Sequence, residues 1–65
     1  MTKHILNKLV GMGLHQATLY LEGKLPAHQL RLVREDKRHF AVTDDMLPNR
    51  HDVQVDNGLI TNVEY

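Results

Sequence analysis

Two adjacent carboxylates, Asp44 and Asp45, stand in the stretch Val42-Thr43-Asp44-Asp45-Met46-Leu47-Pro48-Asn49, which Arg50 closes. A carboxylate pair can divide acid and base work in a hydrolase, but both groups must then flank one reacting bond. Neighbouring residues on an extended chain point to opposite sides, and no flanking sequence supplies a cleft, so no enzyme is expected. The reading that remains is a contact pair on an exposed loop, since loops held in a fixed shape tend to carry function. Five histidines invite a metal. His4, His15, His28, His39 and His51 never come at the i, i+3 or i, i+4 spacing of a helical ligand pair, and cysteine is absent. They are expected to be dispersed and exposed, with no metal and no cofactor. Arg31, Arg34, Lys37 and Arg38 form the one basic concentration. Converging on one face, they could take an anionic small ligand.

The elements that must position these groups belong to one small domain, because 65 residues lie near the lower limit for independent folding. Ordering such a chain costs on the order of 100 kcal/mol, so nearly all its apolar side chains must enter a single core. An apolar content of 42% is sufficient for that. Eight basic residues balance eight acidic ones, which argues against general nucleic-acid binding through a strong positive field. No apolar run approaches a membrane span, and the start, Met1-Thr2-Lys3-His4-Ile5-Leu6, lacks the apolar core of a signal peptide. A cytoplasmic protein is expected.

Residues 1–12 read as an N-terminal arm or helical turn carrying Ile5, Leu6, Leu9 and Val10, broken by Gly11 and Gly13. A helix is predicted over 13–23, with Leu14, Ala17 and Leu21 on one stripe. Gly13 serves as its N-cap with Gln16 reaching back, Gly23 as its left-handed C-terminal residue, and Pro26 prevents resumption. A strand follows over 29–34, where Leu30 and Leu32 alternate with Arg31 and Val33 fits less regularly. Residues 35–49 form a charged connector and the exposed loop, with Phe40 and Val42 turned back toward the core. Leu47 is expected to plug the loop's base and Met46 to make contact.

A second strand over 50–56 alternates, with Val53 and Val55 on one face and Asp52, Gln54 and Asp56 on the other. Asp56-Asn57-Gly58 suits a tight hairpin turn, and a last strand runs over 59–65. Its apolar Ile60 and Val63 are three apart, which predicts a bulge near Thr61 or Asn62. The fold class is α+β: one helix on a small mixed β-sheet, with the long loop joining two parallel strands.

In this order the chain resembles the potato inhibitor I family, which includes eglin and the barley chymotrypsin inhibitor, and within that fold the cysteine-poor bacterial peptidase inhibitors. The resemblance spans roughly Leu9 to Val63. It rests on Leu9-Val10-Gly11, Ala17, Val42-Thr43, Pro48-Asn49-Arg50 and the pattern Val53-x-Val55-Asp56-Asn57-Gly58-x-Ile60-Thr61-x-Val63. It implies a serine protease inhibitor whose loop binds as a substrate does and is cut very slowly, because a pinned, extended loop loses little entropy on binding. It places Asp44 on the acyl side of the reactive bond and Asp45 on the leaving side. It also implies that an arginine beneath the loop tethers Thr43 and Asp45, with Arg50, next to Asn49, at one such support. Three features depart from the family. Asp44 replaces a large apolar or basic residue, Asp52 stands where a second supporting arginine is expected, and 35–39 is longer.

The leading expectation is an inhibitor-like binding protein using loop residues Thr43, Asp44, Asp45, Met46 and Leu47 against a protein target, most simply a serine protease. Its rival is a non-protease module, able to self-associate through its edge strands, that captures a partner or an anion through Arg31, Arg34, Lys37, Arg38 and the histidines.

Overall fold

The computed structural model describes residues 2–43, 45 and 47–64. Two helices, α1 (Thr2–Asn7) and α2 (Leu14–Lys24), precede four strands: β1 (Gln29–Glu35), β2 (Arg38–His39), β3 (Arg50–Asp56) and β4 (Leu59–Val63). The sheet order is β2-β1-β3-β4, with β1 parallel to β3 and both outer pairs antiparallel. This is the expected α+β fold, with the long loop between its parallel strands.

The sequence alternation of β3 becomes an alternation of burial, with His51, Val53 and Val55 inside and Asp52, Gln54 and Asp56 half-covered on the other face. Val53 and Val55 join Ile60 and Val63 of β4, Ala17 and Leu21 of α2, and Leu6 and Leu9 of the N-terminal segment in one core. Each large aliphatic side chain buried there contributes about 1.5–3 kcal/mol. The predicted bulge falls at Thr61, because Gln54 pairs with Asn62 and Val55 already with Ile60. Asn57 and Gly58 take positive φ at the turn, 54° and 81°, which asparagine and glycine tolerate.

The N-terminal arm is a helix for one stretch and a sheet cover for the next. Gly11 donates its N–H to the Ile60 carbonyl, and the Ile60 N–H returns to the Met12 carbonyl, so the outer edge of β4 is partly paired. A positive φ of 95° at Gly11 makes that approach.

The helix departs from expectation at both ends. Gly13 caps it through backbone alone, with no side-chain bond from Gln16 or any other group. Helical structure runs through Gly23 to Lys24, and the Leu25 N–H closes it on the Leu21 carbonyl at 2.7 Å. Packing of Ala17 and Leu21 on the sheet, rather than capping, holds α2 in place.

The connector differs more. Glu35 remains in β1, Asp36 takes a positive φ of 54°, and Arg38–His39 returns as β2, so a small hairpin occupies what reads as an aperiodic charged run. Its turn removes Phe40 from the core: the ring is 36% exposed and Val42 44%. Tyr20, by contrast, packs against the core. The last strand ends at Val63, and Tyr65 lies outside the described residues. Among the described residues no helix is long and apolar enough to cross a membrane.

Candidate binding loop

The loop after β2 leaves at Phe40, whose N–H bonds to the Val33 carbonyl, and returns at Arg50, whose N–H bonds to the Leu47 carbonyl. Its return is tied to the first strand as well, since Gln29 donates to the Asn49 carbonyl at 2.9 Å. Asn49 therefore supports the loop through its backbone.

Two guanidinium groups hold the loop from below. Arg50 of β3 donates from Nη2 to the Asp45 carbonyl at 2.9 Å and from Nη1 to the Asp45 carboxylate at 3.4 Å. Arg31 of β1 donates from Nη1 to the Thr43 carbonyl at 3.2 Å and to the Thr43 hydroxyl at 3.4 Å. The Thr43 hydroxyl in turn donates to the Asp45 carboxylate. Residues 43 and 45 are thus linked to each other and to separate strands.

Asp52 does not weaken this support; it supplies it from the neighbouring strand. Arg31 and Asp52 are register partners across the parallel pair, and Arg31 grips the Asp52 carboxylate with Nε at 2.8 Å and Nη2 at 3.0 Å. This two-point pairing fixes the plane of the guanidinium and leaves Nη1 aimed at the loop. The second arginine beneath the loop thus exists, on β1 rather than two residues past Arg50. From sequence alone Arg31 belongs to an anion site and Asp52 is a gap in the support.

The remaining expected residues are distributed unevenly. Thr43, Asp45, Asn49 and Arg50 come together as described. Leu47 does not plug the base, being 47% exposed with Val42 similarly open on the other flank. Asp44 and Met46 lie outside the described residues.

The basic group does not form an open anion site around its two β1 members. Arg34 donates to Asp56 from Nη1 and Nη2 at 2.7 and 2.8 Å, to Gln54 from Nε and Nη2, and to the Asp36 carbonyl at 2.6 Å. Arg31 is engaged by Asp52 and Thr43. Lys37 sits in the β1–β2 turn, and Arg38 lies over the Phe40 ring at 5.8 Å.

Two histidines are not dispersed. His28, just before β1, and His51 of β3 stack with ring centroids 5.0 Å apart and planes 9° from parallel. His28 Nδ1 and His51 Nε2 are 2.8 Å apart and share a hydrogen bond. His51 is 3% exposed, because it lies on the same face of β3 as Val53 and Val55. That alternation was the signal for its burial. Among the described residues no group of three or more His, Asp or Glu could hold a metal ion.

These contacts set the charges. The Thr43 hydroxyl, and after it Arg50, hold the Asp45 carboxyl below its ordinary value although partial desolvation pushes it up. The hydrogen bonds from Arg31 lower Asp52, and those from Arg34 lower Asp56 further. Burial, then the nearby His28, lowers His51. The described side chains of the loop are exposed and stand on an ionised, tethered frame. Compared with family models, curated proteins and solved structures, the chain matches none.

Proposed function

We propose that the chain is a small inhibitor-like binding protein that offers its 42–50 loop to a serine protease as a substrate would. One observation carries the reading: Arg31 and Arg50, from different strands, hold residues 43 and 45 on either side of position 44. The Asp44–Asp45 bond is the reactive bond. Tethers on both sides of it resist the separation of the two halves that hydrolysis requires, and they reduce the entropy lost on docking. Val42 and Leu47, open on the flanks, supply apolar contact. An interface of this kind buries about 800 Å² on each partner.

Asp44 at the primary position selects a protease that prefers acidic residues. A carboxylate inserted into an apolar pocket or beside an acidic one would be buried unpaired, at a cost of several kcal/mol. The test is titration against subtilisin-like, chymotrypsin-like and acid-preferring serine proteases, with products followed by mass spectrometry. Tight inhibition with slow cleavage at Asp44–Asp45 is expected for the acid-preferring class, and Arg50→Ala should turn the inhibitor into a substrate. Failure of every class to be inhibited or to cut that bond would overturn the reading.

A further inference from the structure

The function proposed for the loop leaves the His28–His51 pair unused, yet the pair stands where the loop rejoins the sheet. His51 follows Arg50, which holds Asp45, and His28 precedes Gln29, which holds the Asn49 carbonyl. In the parallel ladder Gln29 faces Arg50 and Leu30 faces His51. The rings therefore bind the start of β1 to the return of the loop, beside the backbone bond between the same segments.

We propose that this pair is an acid-sensitive clasp for the loop: proton uptake drives the two rings apart and releases the Asn49–Arg50 end from β1.

The physical reason lies in what each nitrogen can do. In the neutral pair one inner nitrogen donates and the other accepts across 2.8 Å. A first added proton keeps that bond only by going to an outer nitrogen. The outer nitrogen of His51, Nδ1, is buried with no hydrogen-bond partner, so a proton there is taken out of water, a cost that the Glu64 backbone offsets only in part. The His28 ring is half-buried. A second proton places hydrogens on both inner nitrogens and stacks two cations, an arrangement that must open.

The surrounding charges do not offset this. On β3, Arg50 and Asp52 flank His51; the Asp52 carboxylate favours the cation but is gripped by Arg31 of β1. After β4, the Glu64 backbone favours the cation in the same direction, and burial with His28 opposes it more strongly. The last charge on α2, Lys24, lies over the Tyr20 ring at 5.9 Å. Because His51 is lowered in the fold, the opened form binds more protons. The closed form is therefore fully favoured above the ordinary value of 6.5 and loses ground as pH falls below it.

The clasp holds whatever the loop binds, so its test avoids proteases. Amide hydrogen exchange of Gln29, corrected for intrinsic rates, reports opening at the clasp, and that of Asp36, bonded to the Val55 carbonyl, reports the far end of the sheet. Between pH 7 and 5 the opening of Gln29 should rise by up to about tenfold per pH unit for each extra proton taken up, while that of Asp36 stays level. In His28→Gln the rise should vanish. His51→Leu, which keeps an apolar group on the core face of β3, should behave alike. Level opening of Gln29 in the parent, an undiminished rise in His28→Gln, or an equal rise at Asp36 would each overturn the clasp.

Discussion

Strand β1 carries two arginines that do the same chemistry to different ends. Arg34 pairs with Asp56, and Arg31 with Asp52, each through two parallel hydrogen bonds to a carboxylate on β3. Around Arg34 every further contact is with the sheet and its turns: Gln54, the Asp36 carbonyl, and, through Asp56, the Thr61 hydroxyl at the bulge. Asp36 also accepts from the Asn57 N–H, so two hairpin turns are locked to one another. Around Arg31 the spare N–H group leaves the sheet and takes Thr43 of the loop. An ion pair that closes on itself serves the fold, and one that keeps a donor in reserve can serve a site. Both lie on the sheet face opposite the core.

Removing each arginine in turn separates the two units. Arg34→Ala leaves Asp56, Gln54 and the Asp36 carbonyl without their donor, and the melting temperature should fall by roughly 5–10 °C. Arg31→Ala should lower it less, because it takes a donor from Asp52 and from Thr43 of the loop, whereas Arg34→Ala takes one from Asp56, Gln54 and the Asp36 carbonyl together. The effect of Arg31→Ala should appear instead as an increase of about tenfold or more in the rate at which a protease cuts 44–45, the consequence of losing one charge-assisted tether. Thermal melting of both variants, run beside a cleavage assay, separates the two roles. If Arg34→Ala accelerated cleavage as strongly as Arg31→Ala, the distinction between the two units would be lost.

How much of this the sequence displays depends on whether a feature is local. The β3–β4 hairpin is legible because alternation, Asp56-Asn57-Gly58 and the spacing of Ile60 and Val63 all lie within one short stretch, and even the bulge at Thr61 follows from them. The support for the loop is not, because it depends on register. Arg31 and Arg34 are three apart and should fall on opposite faces of a regular strand; they share a face because the β1–β3 register shifts between Leu32 and Arg34. The irregular place of Val33 was the trace of that shift. The turn at Asp36 is similar, since a positive φ at an aspartate gives little compositional warning, and missing it sent Phe40 into the wrong environment. His51 is the opposite case, legible from its own strand and obscured by weighing histidines only as metal ligands.

Exchanging the charges of each pair distinguishes the two units further. Arg31 and Asp52 are directly opposite in the register, so Arg31→Asp combined with Asp52→Arg moves the guanidinium to β3 while preserving the pair. This places an arginine two residues past Arg50, where the resemblance to potato inhibitor I proteins would have it. The double variant should recover part of the resistance to cleavage lost in Arg31→Ala, whereas Asp52→Arg alone should recover none, since two arginines would then repel. The corresponding exchange of Arg34 and Asp56 should not restore stability, because the Asp36 carbonyl and Gln54 would then lack the donor that Arg34 supplies from β1. Urea midpoints and cleavage rates of the four proteins measure both effects.

The smallest effect expected is a difference in the order of acid release. Both aspartates are held below the ordinary carboxyl value of 3.8, Asp56 further than Asp52. A carboxylate lowered in the fold contributes stability that is present above its unfolded value and is lost as pH falls through its folded one. Asp52 should therefore protonate before Asp56, with the loop frame loosening while the paired turns still hold. The free-energy effect is small because both pairs are reached by solvent and are screened by salt. Side-chain carboxyl NMR between pH 5 and 2 gives the order directly, and Asp52→Asn should remove the earlier step alone. Protonation of Asp56 before Asp52 would mean that the tighter grip belongs to the loop, and that Arg31, not Arg34, is the stronger anchor of the sheet.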